Sequence, residues 1–212
     1  MNKFYTNIVL IFFLLSTVLP SKELYTDSLI RKIDAKYGKY TANRFIYLKK
    51  KIAKIKNDDD LRKLKAINDF FNKVKYSSDK KIWNKKDYWA TPFELLVKDK
   101  GDSEDFVFAK YFTLVNDLKM DEDKFLFTYV KLKNKNISYM VLTYYETKKS
   151  IPYILDSINY KVLPATKRPD IIPIYSFSAK SAGLNLDKKN KFKATQSLKF
   201  RVLLRNINGE KI

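Results

Sequence analysis

The 212-residue chain reads as an α+β domain in which helices come first, an apolar central helix follows, and antiparallel strands come after it. Three observations predict this. Residues 24–75 place apolar side chains at three- and four-residue steps between lysines, the period of a helix with one buried face. Residues 103–118 are apolar nearly all round, as expected of a helix buried on every side. From Phe125 onward aromatic and aliphatic residues alternate with polar ones in short runs, the texture of strands.

The N-terminal stripe consists of Leu29, Ile30 and Ile33, then Phe45, Ile46, Leu48, Ile52 and Ile55. Asp58 to Asp60 place acids at the positive end of the next helix, whose stripe is Leu61, Leu64, Ile67, Phe70 and Phe71. These stripes read as core. Residues 76–101 form an irregular segment rich in aromatics, with Pro92 ahead of a helical turn from Phe93 to Val97. Its Trp83, Tyr88 and Trp89 either pack beneath the segment or line a groove. Gly101 and Asp102 end that segment and open the central helix, which presents Val107, Tyr111, Leu114 and Leu118 on one face. Strands are expected at Phe125 to Leu132, Tyr139 to Tyr145, Tyr153 to Asp156 and Tyr175 to Phe177. Asn134 and Asn136 form the turn between the first two. Residues 179–193 read as a polar loop, and Leu198 to Leu204 as a last strand or helix.

Composition removes whole classes of chemistry. The chain has no Cys and no His, which rules out a thiol nucleophile, an imidazole base, disulfides and the usual catalytic zinc ligands. The formal charge of +20 comes mainly from Lys, with Arg only at 31, 44, 62, 168, 201 and 205. Basic residues are spread along the whole chain, and bidentate base contacts favour Arg. A solvated cationic surface therefore explains the charge better than a nucleic-acid interface. Lys3 followed by the apolar run Ile8 to Leu19 and the break at Pro20 reads as an export signal over residues 1–21. That run is shorter than the roughly 20 residues of a membrane span. The mature domain is then residues 22–212, free of thiols and suited to the periplasm.

Specific motifs lie in the middle of the chain. Ile67-Asn68-Asp69-Phe70-Phe71-Asn72, then Tyr76, Asp79 and Trp83, lead into Asp87-Tyr88-Trp89-Ala90-Thr91-Pro92-Phe93-Glu94-Leu95. Gly101-Asp102-Ser103-Glu104-Asp105 opens the central helix. Tyr139-Met140-Val141-Leu142, Leu155-Asp156-Ser157, Arg168 with Asp170, and Tyr175-Ser176-Phe177 follow in order. Over residues 25–180 or so, the chain resembles the bacterial transglutaminase-like cysteine proteinases of the LapG type. The resemblance implies a papain/transglutaminase-like domain with a Cys–His–Asp triad. In it, Ser103 stands where the family has its nucleophilic Cys and Tyr139 where it has its His, while Asp156 matches the third member.

Those departures carry a chemical consequence. A serine at a helix start needs an adjacent base to take its proton. A phenol, with an unperturbed pKa of about 10, is a poor one. Asp156 is left without an imidazole to orient, and a hydrogen bond from Tyr139 fills that vacancy. The chain is therefore expected to be a pseudoenzyme; the alternative is a peptidase using Ser103 with a base other than His. The resemblance also implies calcium at Asp102 and Glu104, with Asp105 nearby, although the same acids at a helix start serve equally as caps. For partners it implies the N-terminal region of a large surface adhesin or a LapD-type membrane receptor.

Overall fold

The structure, a computed structural model, describes residues 23–135, 137–183 and 191–209. The export signal, Asn136 and the middle of the polar loop lie outside the described residues. No helix among the described residues is long and apolar enough to cross a membrane.

The helical N-terminal region is three helices: α1 (Asp27–Tyr37), α2 (Lys39–Ile55) and α3 (Asp60–Phe71). Thr26 caps α1 by accepting the Leu29 amide, and Gly38 at φ 80° ends it and lets α2 turn back. Asp59 caps α3 by accepting the Arg62 amide at 2.8 Å. The expected stripes face inward, with Ile33, Phe45, Leu48, Leu64, Ile67 and Phe71 fully buried.

The aromatic segment is more ordered than its sequence implies. It holds β1 (Lys75–Tyr76), α4 (Asp79–Trp83), α5 (Pro92–Lys98) and β2 (Lys100–Gly101). Thr91 and Glu94 form a reciprocal capping box on α5, with Pro92 in its first turn. Strands β1 and β2 pair in parallel, setting Tyr76 opposite Gly101, and the Ser77 amide donates to the Gly101 carbonyl at 2.8 Å. Gly101 suits this close approach, since a Cβ there would sit 2.4 Å from Leu95 Cδ1 and make that buried side chain shift.

The central helix α6 runs from Ser103 to Phe112 and buries nearly every residue. It was expected to reach Leu118, but it widens into a π turn at Thr113–Asp117. Thr113 Oγ1 there donates back to the Ala109 carbonyl at 2.8 Å, a bond that loosens a helical ladder. Behind α6 stands an antiparallel sheet of β3 (Phe125–Leu132), β4 (Ser138–Tyr144), β5 (Tyr153–Leu155), β6 (Leu163–Pro164) and β7 (Ile171–Phe177), in the order β6-β5-β4-β3-β7. The polar loop is partly helical, with α7 (Ala179–Gly183) before it ends, and the last element is a helix, α8 (Lys191–Asn208). Phe200 of α8 packs on Phe108, Phe112 and Phe127.

Phe127 is the centre of this core, in contact with Phe108, Tyr111, Phe177 and Phe200. Phe127→Ala is expected to cost about 3–5 kcal/mol, the range for emptying a buried aromatic site. Urea unfolding will show it as a lower midpoint at unchanged slope.

Candidate functional site

The site forms where α6 begins. Asp102 accepts the Glu104 amide at 3.2 Å through Oδ1, and Asp105 returns a carboxylate oxygen to the Asp102 amide at 3.2 Å. This capping box leaves Ser103 as the first residue of the helix, where the unpaired amides give a partial positive charge. The other Asp105 oxygen accepts the Ala90 amide at 2.7 Å, tying the aromatic segment to the same point.

Ser103 is buried. Its Oγ accepts the Met140 amide from β4 at 3.1 Å and donates to Glu104 Oε2 at 2.5 Å. The Tyr76 phenol also lies within reach of this hydroxyl. Tyr139 lies next along β4 and donates its phenol to Asp156 Oδ2 at 3.0 Å. Burial, then the Asp156 charge, hold the phenol above its usual pKa, so it keeps its proton at any physiological pH. The bond expected between Tyr139 and Asp156 is therefore present.

Asp156 is further occupied. Arg168 Nη2 donates to the same Oδ2 at 2.7 Å, and the Ile158 amide donates to Oδ1 at 2.7 Å. The Arg168 fork also grips Asp170 at 2.9 and 2.8 Å. From below, the fully buried Lys110 reaches the Asp156 carbonyl at 3.1 Å and Asn72 Oδ1 at 2.8 Å. Burial drives the Lys110 pKa down to about 7. Its ammonium nevertheless serves the backbone of Asp156, and it has no hydrogen bond to Ser103.

On the other side of the helix start, carboxylate oxygens of Asp79, Asp102 and Asp105 lie within 4.8 Å of one another. Burial first, then their neighbours' charges, raise Asp102 to about 9. Burial likewise raises Asp105 to about 8. Asp79 is raised by burial too; its Oδ2 accepts the Tyr88 amide at 2.6 Å, while its Oδ1 is buried without a partner. Three clustered carboxylates whose ionisation is opposed by burial and by one another, with Asp79 Oδ1 unpartnered, suit a hard divalent cation. Of the acids singled out in the sequence, Asp102 and Asp105 join this cluster, whereas Glu104 turns to Ser103. Asp79 takes the third place, and only its appearance in a motif marked it beforehand. Arg168 is the other residue whose part at the site was not read, because nothing in the spacing aims it at Asp156.

The aromatic cluster divides. Trp89 is core, packed on Phe108 with ring centroids 4.6 Å apart. Trp83 and Tyr88 instead line a separate cleft with Tyr37, Phe93 and Arg205.

Comparison with known proteins agrees with this geometry. A family model of the bacterial transglutaminase-like cysteine proteinases matches residues 40–179. Among solved structures, Legionella pneumophila LapG is 36% identical, with 85% of this chain and 96% of that chain covered at a TM-score of 0.70. Its EGTA-treated form is 33% identical with the same coverage and TM-score. The calcium-bound form is 34% identical, covering 81% of this chain and 97% of that chain at a TM-score of 0.66. Among curated proteins there is no match. The family model spans well over half of the chain and the solved LapG structure is 36% identical over 85% of it, so the chain belongs to the bacterial transglutaminase-like cysteine proteinase family.

Proposed function

We propose that this protein is a non-catalytic member of its family, exported to the periplasm, that holds a polypeptide segment at the Ser103 site and depends on calcium to do so. The segment is the N-terminal region of a large surface adhesin, or a contact element of a LapD-type receptor. One observation carries the reading: the Ser103 hydroxyl is bound by Glu104 and the Met140 amide, while Tyr139 is spent on Asp156. Hydrolysis needs a base to deprotonate the nucleophile and later protonate the leaving amine. A phenol that keeps its proton serves neither step.

Asp79, Asp102 and Asp105 would hold the calcium, with Glu104 beside them. The cation would supply the positive charge that these acids lack. The family's calcium-bound LapG structure supports this choice of metal. A second reading has one observation in its favour. The 2.5 Å contact from Ser103 to Glu104 is the geometry of a serine with a carboxylate base.

Mature protein from Lys22 onward, mixed with the N-terminal fragment of an adhesin from the same genome, separates these readings. The expected outcome is a complex on size exclusion in calcium, lost in EGTA, with no cleavage on a gel. Cleavage that disappears in both Ser103→Ala and Glu104→Gln would establish the second reading instead.

Restoring the missing groups gives a complementary prediction. Ser103→Cys with Tyr139→His is expected to cleave the fragment, and each single variant to be at least about 100-fold slower, since thiolate and imidazole act together. A double variant as inert as its parents would mean that the triad geometry is not retained.

The acid cluster sets a pH dependence. Carboxyl pKa values raised in the folded state mean that the folded protein binds more protons than the unfolded chain. Stability without metal therefore falls as pH rises from about 4, the unfolded value, toward the folded values of about 8 and 9. Calcium displaces those protons, so its stabilisation grows over the same window. The rise in Tm on adding calcium is expected to be larger at pH 8 than at pH 5 and to vanish in Asp79→Asn. Comparing the two melts at each pH cancels Lys110, whose lowered pKa acts in the opposite sense.

A further inference from the structure

The edge of the Ser103 site has an arrangement of charge that the fold does not use. Strands β1 and β2 set Lys75 directly opposite Lys100, a like-charge pair that costs stability unless an anion lies between them. From α4 comes Lys81, two residues beyond Asp79. With Tyr76, Ser77 and Ser78 these lysines line a cleft of ≈ 460 Å³ that contains no acidic residue. Among the described residues none of the three lysines forms an ion pair, and neither serine hydroxyl makes a hydrogen bond. Ser78 occupies the cap position of α4 without a side-chain cap bond.

Tyr76 links this cleft to the site. Tyr76 lines it, stacks on Phe106 of α6 with centroids 6.4 Å apart, and pairs with Gly101, two residues from Ser103. The Tyr76 phenol is also close enough to Asp102, Glu104 and Ser103 for all three to perturb it. A chain lying across Ser103 therefore meets Tyr76 first and the lysines next. Three ammonium groups and two hydroxyls, with no carboxylate among them, complement a carboxylate. The recess has room for one side chain and its water, which suits a peptide residue.

We propose that the Lys75–Lys81–Lys100 cleft is a specificity subsite that takes an aspartate or glutamate side chain from the polypeptide segment bound across Ser103. This rests on the peptide-holding function proposed above and adds to it the chemistry of the segment: an acidic residue close to the part that covers Ser103.

The absence of cysteine elsewhere provides the test, because Ser103→Cys places a single thiol in the whole chain. Because position 103 is only 3% exposed, its alkylation by iodoacetamide is timed first without peptide, and further slowing on adding peptide reports a segment covering it. The probes are short synthetic peptides with one Asp or Glu stepped along an Ala/Gly/Thr background, each with an Asn or Gln twin, in the presence of calcium. Acidic peptides at one register are expected to protect the thiol at about tenfold lower concentration than their amide twins, as the loss of one charge-assisted contact implies. Adding Lys75→Gln, Lys81→Gln and Lys100→Gln is expected to abolish that difference, with an unchanged circular dichroism spectrum showing that the fold persists.

Equal protection by acidic and amide peptides would overturn the subsite and leave the peptide-holding function intact. Acidic peptides that bind by fluorescence anisotropy through the lysines, yet leave the thiol unprotected, would separate the cleft from the site and also overturn the proposal. If no peptide binds or protects, the peptide-holding function fails, and the subsite fails with it.

Discussion

The carboxylate of Asp105 holds the site together. Fully buried, it accepts the amides of Ala90 and Asp102 and lies against Gly101, where a Cβ would come within 3.0 Å of it. One side chain thus joins the aromatic segment, the tight turn and the start of α6. Ser103 points toward β4 only because that junction is fixed. The same junction brings Asp79 and Asp102 close, and this creates a conflict. Unit charges 4 Å apart interact by about 4 kcal/mol at an effective dielectric of 20, so three neighbouring carboxylates do not all ionise without compensation. Two amide donors and a helix start relieve part of that repulsion, while burial first, and the remaining repulsion after it, raise the pKa values of Asp102 and Asp105.

Asp156 is a second hub. Its side chain takes Tyr139, Arg168 and Ile158, and its carbonyl takes Lys110 and Asn72. An imidazole in place of the Tyr139 phenol would also donate one bond to this carboxylate. It would in addition present a second nitrogen as acceptor, which a phenol hydrogen-bonded to a carboxylate lacks. The frame asks only for a donor at that position. Catalysis asks for a donor and an acceptor on opposite sides of one ring. A tyrosine bonded to the carboxylate meets only the first of these requirements.

The parts that could be read from the sequence were those governed by local spacing or by inventory. The stripe around Leu64, Ile67 and Phe71 follows the helical period, and the Asp102–Asp105 cap is a three-residue pattern before an apolar run. The absence of Cys and His needed no structure. Other features depend on contacts that spacing does not contain. Asp79 joins Asp102 from 23 residues away through the pairing of β1 with β2, each only two residues long. Glu104 follows Ser103 in the chain, and nothing local decides whether it turns toward the acids or the hydroxyl. At the π turn the Thr113 hydroxyl bonds back to the Ala109 carbonyl, a contact that the apolar spacing of the helix does not encode. Residues 198–204 were ambiguous because seven apolar and basic residues fit a strand or a helix equally; packing of Phe200 on Phe108 and Phe127 settles them as helix.

The electrostatic layout links the two proposals. The chain carries a formal charge of +20, yet among the described residues Asp79, Asp102 and Asp105 cluster at the start of α6, with Lys75, Lys81 and Lys100 on the adjoining edge. With the acids uncompensated, an acidic segment approaching Ser103 is drawn by the lysines and repelled by the carboxylates. A divalent cation among the acids removes the repulsion and leaves the attraction. Each ligand then favours the other, and linkage requires the two effects to be equal in free energy. On this reading calcium acts through charge, by letting an acidic chain settle across Ser103, and needs no change of shape to do so.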